Sequence, residues 1–353
     1  MSARGALEAM ANHVQGGYSA FPITRPLAES MASGNVKIPP HLLAQLPDDP
    51  DDYTEVRAQS ADAGVYQQWS RTKVVYAMDE LLLNELTDST SDEVPAAIMR
   101  NIPHPDPFVL LPTPDPDSED TAYFARHVGI PMGAFVYGKR HGARYMCSTA
   151  DEDLDALGIL FVGHLLLDEG GDCFQITRCT VPLDEKMTSV EHTVDWTVKN
   201  FRWSSDTQES DPARLEQWLR THVAQVFHSV LYVGTNQPDI ETYEPAKVRN
   251  GKQKKPRRPR PWDINQLVKI GYRLGPELFA ERQQYENESR TSQPADGPAR
   301  RSPRPHRRRG KYQIYWTGPG RTVPKSVWRR PHWVALKGQD PEGPADVVVR
   351  PVR

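Results

Sequence analysis

The sequence is poor in the features that mark several large protein classes. It has only three cysteines, Cys147, Cys173 and Cys179. An odd, sparse set makes no disulfide framework and fits a reducing cytosol. No apolar run approaches the roughly 18 residues that a membrane-spanning helix needs. The opening MSARGALEAM lacks the basic segment and apolar core of a secretory signal. A cytoplasmic protein without a membrane partner is therefore expected. Also missing are a Gly-rich phosphate loop, HExxH, a CxxC pair and GxSxG, so the common nucleotide, zinc-protease and serine-hydrolase chemistries find no motif.

Acidic and histidine clusters offer little more. Cys173 and Cys179 bracket one predicted strand rather than a metal knuckle, and read as structural thiols. His222 and His228 are six residues apart and do not share a helix face as an i, i+4 pair would. Asp151-Glu152-Asp153 with Asp155 has the donor chemistry for Mg²⁺, but a charge run of this kind is commonly solvated surface. Glu244-x2-Lys247 after Pro238-Asp239 only echoes a nuclease carboxylate–lysine pattern. No cofactor, no metal and no enzyme activity are expected.

What the chain has in quantity is proline and segregated charge. Its 32 prolines predict long irregular segments. Residues 246–353 hold 26 Lys/Arg against 9 Asp/Glu, and residues 1–245 hold 17 against 37. That asymmetry points to an acidic or nucleic-acid partner for the second part, or to docking of the two parts on each other. The expected fold class is α+β: an antiparallel sheet with packed helices, then a basic linker and a small C-terminal β unit. The expected divisions are a loosely ordered arm over 1–60, an acidic α+β domain over 61–245, a basic, Pro-rich linker with short helices over 246–305, and a basic aromatic β-rich module over 306–353.

Within this frame, Val65, Trp69, Tyr76, Leu83 and Leu86 predict a helix over Gly64–Leu86. Asn101–Asp117 carries six prolines and is expected to be an extended surface connector. Ala134–Tyr137, Arg144–Ser148, Gly158–Leu167 and Cys173–Val181 read as antiparallel strands, with Val190–Val198 a fifth. Asp211-Pro212 suits the start of a helix whose stripe is Leu215, Leu219, Val223, Val226, Phe227, Val230 and Leu231, stopped by Gly234. Asp263 is expected to cap a helix through Ile264, Leu267, Val268 and Tyr272, with a second helix from Pro276. Ser289–Pro305 reads as a tether, and Asp346–Val349 as a last β run.

The densest chemistry lies in Arg304–Val334, which carries five Trp/Tyr, many Arg/Lys and no carboxylate. Two aromatic runs, Tyr312–Trp316 and Trp328–Trp333, flank the turn Gly318-Pro319-Gly320 and predict two short strands. Arg307, Arg308, Arg309, Lys311, Arg321, Lys325, Arg329 and Arg330 supply phosphate attraction. Tyr315, Trp316, Trp328 and Trp333 are either stacking surfaces for bases or the inward side of a strand.

Three pieces of the chain resemble one family. Pro305–Lys311 followed by Tyr315-Trp316-Thr317-Gly318-Pro319 and Trp333-Val334 is similar to the RPHxRRGHWxxYWxGP…W(I/V) signature of phage- and plasmid-borne proteins related to the type V-A anti-CRISPR inhibitor. Ser229–Glu241 and Gly271–Leu274 resemble the same family, which has His-Trp where this chain has Lys311-Tyr312. The resemblance implies a non-enzymatic regulator from a mobile genetic element. It implies recognition of the nascent peptide of an RNA-guided nuclease by the acidic part, and engagement of RNA or the ribosome, RNA ahead of DNA, by the basic part. The alternatives are a plasmid or phage DNA-binding protein for replication or transfer, and a metal-dependent nuclease.

Overall fold

Small apolar residues open the chain at helical spacing. The computed structural model describes residues 3–33, 39–90, 94–115, 117–138, 156–166, 172–183, 189–201, 211–244, 260–291, 306–321 and 323–334. The first segment forms α1 (Ala3–Ala20), followed by α2 (Thr24–Ala32), the single turn α3 (Pro40–Leu43) and α4 (Pro50–Ser70). Ala6, Leu7, Met10, Ala11 and Val14 of α1 bury with Ala61, Val65, Tyr66 and Trp69 of α4. The stretch expected as a loose arm is thus largely helical. A stripe built from Ala and Met is weak as a sequence signal yet buries completely here. The acidic run before α4 is its cap: the Asp49 carboxylate accepts the N–H groups of Asp51 and Asp52, and Pro50 takes the first helical position.

The helix expected over Gly64–Leu86 is three elements. The chain leaves α4 at Ser70, turns with Lys73 at φ 52°, and enters strand β1 (Val74–Met78), every residue of which is buried. Asp79 then caps α5 (Glu80–Thr87) by accepting the Leu82 N–H. Trp69 and Tyr76 are seven residues apart, two helical turns, so their spacing fitted one helix. The β-branched pair Val74-Val75 decides for a strand. A 3₁₀ turn (Ala96–Asn101) leads to β2 (Phe108–Leu110). The Pro-rich connector therefore holds an interior strand, with Phe108 and Val109 fully buried.

After α6 (Glu119–His127) come β3 (Ile130–Tyr137), β4 (Ala156–Leu166) and β5 (Asp172–Pro182). Next are α7 (Val190–Lys199), α8 (Pro212–Val233), β6 (Ile240–Tyr243), β7 (Gln266–Ile270) and α9 (Leu274–Thr291). The seven strands order as β5-β4-β3-β2-β1-β7-β6. All pairings are antiparallel except those of β1 with β2 and with β7. Alternation along β4 shows why its apolar run is unbroken. Leu157, Ile159 and Phe161 join a core with α5, α7 and α8, whereas Leu160 and Val162 join the core with α1 and α4. Both faces of the sheet are covered by helices.

Two further readings change. Val190–Val198 is helical: Ser189 caps it by accepting the His192 N–H, and Val190, Thr193, Val194 and Thr197 are buried on one side. Asp263 caps no helix. Its carboxylate accepts the Arg260 N–H, and Gln266–Ile270 pairs in parallel with β1. A strand from beyond residue 245 thus sits inside the sheet. Helix α8 forms as expected, with Asp211 accepting the Ala213 N–H, Pro212 in the first turn, and Leu215, Leu219, Val223, Val226, Phe227, Val230 and Leu231 all buried. Arg144–Ser148, Asp151–Asp155, Lys247–Arg258 and Asp346–Val349 lie outside the described residues.

The C-terminal unit contains β8 (His306–Arg308), β9 (Lys311–Thr317), β10 (Val323–Arg329) and β11 (His332–Val334). β9 and β10 form an antiparallel hairpin, and β8 pairs with β11. The fold is mixed α+β with a mostly antiparallel sheet, packed helices and this small β unit.

Candidate nucleic-acid interface

Strand parity sorts the hairpin into two faces. Tyr312, Ile314 and Trp316 lie on one side, with Ser326 and Trp328 across from them. Tyr312 is 1% exposed and part of the main core, against which Ile314 and Trp328 also pack. Its ring lies 5.8 Å from that of His228 on α8. Burial pushes the Tyr312 hydroxyl well up, and pushes the His228 imidazole down to about 4. The Trp328 indole donates to Ser89 Oγ at 3.0 Å and meets the Tyr232 ring edge-on at 5.6 Å.

Backbone bonds fix the hairpin to the body at several places. Thr90 N–H donates to Gly310 O, Tyr312 N–H to Thr90 O, and Asn236 N–H to Ser326 O. The Asn101 side chain donates to Pro324 O at 3.2 Å. Gly310 permits this closeness: a Cβ there would stand 2.4 Å from Ser89 Oγ. The inward face of β9 thus comprises Tyr312 and Ile314 and ends at Trp316, which is 54% exposed.

The nominated cations divide in the same way. In β8, Arg307 turns inward and its guanidinium meets the carboxylate of buried Glu85 at 2.7 Å, with Arg282 3.7 Å from the same carboxylate. Arg330 lies 3.7 Å from Glu277. Arg308, Arg309, Lys311, Arg321, Lys325 and Arg329 are exposed, as are Tyr315 and Trp316. None of these six cations has a carboxylate within ion-pair distance among the described residues. Arg321 sits at the tip with φ 54°, beside Gly318 and Gly320, also at positive φ. Of Trp333 only the backbone pairing with Arg307 is described. Arg307 and Trp328, nominated for ligand contact, thus hold structural places: the strand alternates, so every second residue of a basic run faces the body.

Two of the segments that resembled one family meet beside the hairpin. Tyr232 touches Trp328, and its hydroxyl accepts the Asp239 N–H. The Asp239 carboxylate accepts the Arg273 and Leu274 N–H groups at the start of α9, together with the Arg273 guanidinium at 2.6 Å. Burial acts to raise this carboxyl, and those N–H groups and the guanidinium outweigh it, holding it below its usual range. Sequence reading missed this junction, as it missed Gln313, whose Oε1 accepts from the Tyr315 hydroxyl at 2.8 Å and from Arg329 Nε at 3.2 Å. Gln313 shares strand parity with Tyr315, and that alternation was the available signal.

No curated protein sequence matches the chain. Among solved structures, the crystal structure of AcrVA2 is similar at 15% identity and a TM-score of 0.47, covering 92% of this chain and 98% of that one. A family model, AcrVA2-like, described as the anti-CRISPR type V subtype A2 family, matches residues 76–336. That span takes in the sheet from the middle of β1 onward, the Tyr232–Asp239–Arg273 junction and the C-terminal hairpin, and the chain belongs to the anti-CRISPR type V subtype A2 family.

Proposed function

We propose that this anti-CRISPR-like protein is a non-enzymatic regulator whose basic C-terminal surface binds RNA. The observation that carries the reading is the exposed set Arg308, Arg309, Lys311, Arg321, Lys325 and Arg329, without carboxylate partners among the described residues, beside exposed Tyr315 and Trp316. Cations left unpaired by their own protein release counterions from a phosphate backbone at little internal cost. The same chain commits Arg307 and Arg330 to carboxylates, so the cations without a carboxylate partner among the described residues are a distinct subset. The acidic remainder, in this reading, meets a polypeptide partner such as a nascent chain, as the family resemblance suggests.

The test is a salt titration of binding to RNA and to duplex DNA. About four to six phosphate contacts give a log–log slope near −3 to −5. Replacing Arg308 and Arg309 by Ala lowers that slope by about one to two and weakens binding to all sequences alike. Duplex DNA bound more tightly than RNA at equal salt would favour a replication or transfer role instead. Mg²⁺-dependent cutting of mixed RNA and DNA would overturn the non-enzymatic assignment. Absence of salt-dependent binding to any nucleic acid would overturn the reading as a whole.

A further inference from the structure

The outward face of the hairpin carries more order than a basic patch requires. Register places Lys311 opposite Arg329, Gln313 opposite Val327, Tyr315 opposite Lys325, and Thr317 opposite Val323, all with the same parity. No Asp or Glu occurs among these eight residues. Three of them form a closed set of hydrogen bonds. The Tyr315 hydroxyl donates to Gln313 Oε1 at 2.8 Å, Arg329 Nε donates to the same oxygen at 3.2 Å, and Arg329 Nη2 donates to the Tyr315 hydroxyl at 3.1 Å. The phenol is therefore tied at its polar end while Tyr315 stays 43% exposed. The Arg329 guanidinium is held by two acceptors and keeps further N–H donors for an anion.

Trp316, the more obvious aromatic, has the opposite parity, so the two rings do not share a face. Lys311 and Tyr315 are four strand residues apart, about 13 Å. A duplex already stacks its bases on each other and offers nothing to a lone exposed ring. An unpaired base does.

We propose that this face binds single-stranded RNA, with one base stacked on Tyr315, neighbouring phosphates on Lys311, Lys325 and Arg329, and Gln313 acting as a positioning residue for the Tyr315 ring. The inference rests on the RNA-binding reading and narrows it to an unpaired strand and one platform. Charge complementarity on a face with three cations and no carboxylate selects the occupant.

The experiment uses the full chain and a short uridine-rich RNA carrying one 2-aminopurine, whose fluorescence falls on stacking, with anisotropy giving affinity. Wild type quenches the probe. Tyr315→Ala abolishes the quench and weakens binding about 5- to 150-fold, with an unchanged melting temperature because the residue is exposed. Tyr315→Phe and Gln313→Ala each keep the ring but free it, giving a partial quench. Gln313→Ala adds no further loss on top of Tyr315→Ala, which a general structural role would not reproduce. A DNA strand of the same sequence binds no tighter than the RNA.

The proposal is overturned if Tyr315→Ala keeps the quench, if Trp316→Ala removes it instead, if duplex RNA competes as well as the single strand, or if a polyglutamate peptide displaces the RNA at equal charge. Salt-dependent binding without any quench would sink this inference and leave RNA binding intact. No binding to any strand would sink both.

Discussion

Replacing Arg307 by Ala separates two kinds of arginine that the sequence places side by side. Arg307 is about one-fifth exposed and lies 2.7 Å from Glu85, whose side chain is 7% exposed. Truncation leaves a buried carboxylate with one remaining cation among the described residues, Arg282, at 3.7 Å. Breaking a buried pair by removing one partner costs about 3–5 kcal/mol. Arg282 offsets part of this, so a loss of about 2–4 kcal/mol is expected in chemical denaturation. Arg308→Ala, one residue on and facing solvent, changes stability by less than about 0.5 kcal/mol.

The double variant provides the control. Glu85→Gln removes the charge that Arg307 neutralises, so combined with Arg307→Ala it costs less than the sum of the two single changes, a coupling of about 1–3 kcal/mol. In RNA binding the order reverses: Arg308→Ala lowers the salt slope by about one, and Arg307→Ala leaves it unchanged. Equal destabilisation by the two alanines, or additive single costs in the cycle, would refute the division of the basic run into inward and outward residues.

Two further outcomes follow from the core. Val226 is fully buried on α8, so Val226→Asp places an unpaired charge there and costs several kcal/mol, read as loss of cooperative unfolding, whereas exposed Arg220→Ala costs about 1 kcal/mol or less in spite of its pairing with Asp195. Burial lowers both the His228 and the His222 imidazoles to about 4, while an unfolded chain protonates them near 6.5; the unfolded state binds more protons in that window, so stability falls as pH drops from about 6.5 to 4, and His228→Leu should make that part of the pH–stability curve measured by urea unfolding shallower, with His222 supplying the rest of the slope.

Much of the fold was legible where one residue set carried a single periodicity with matching ends. Asp211-Pro212, the Leu215–Leu231 stripe and Gly234 state one helix without ambiguity, and Gly158–Leu167 with Cys173–Val181 state one hairpin. Legibility failed where spacing fitted two answers. Trp69 and Tyr76 satisfy a helical period, yet belong to a helix and a strand separated by Lys73 at positive φ. Val190, Val194 and Val198 favour strands by type but are spaced by four, and the Ser189 cap decides for a helix. Asp263 has the identity of a cap and spends its carboxylate on a local turn, because Leu267–Ile270 finds β1 as a partner nearly 200 residues earlier. That pairing has no local signal. At the hairpin, composition identified the cations and rings but could not divide them. Only the register shows that Arg307 and Tyr312 face the body, while Arg308, Lys311 and Tyr315 face outward.

The parallel pairing of β1 with β7 sets the timing of synthesis against the completion of the sheet. Residues 74–78 leave the ribosome about 190 residues before the strand that closes their open side. At about 5–20 residues per second, that interval is roughly 10–40 s. During it the β1 edge, with buried-to-be Val75 and Tyr76, stands unpaired beside helices that are already complete. The hairpin that seats Tyr312 on α8 is made later still, and it both covers the core and brings the outward cations to the surface. Until β7 emerges a growing chain lacks the pairing on one side of β1, and until the hairpin emerges it lacks its basic face, so chaperones or a neighbouring polypeptide have their best access to it before then.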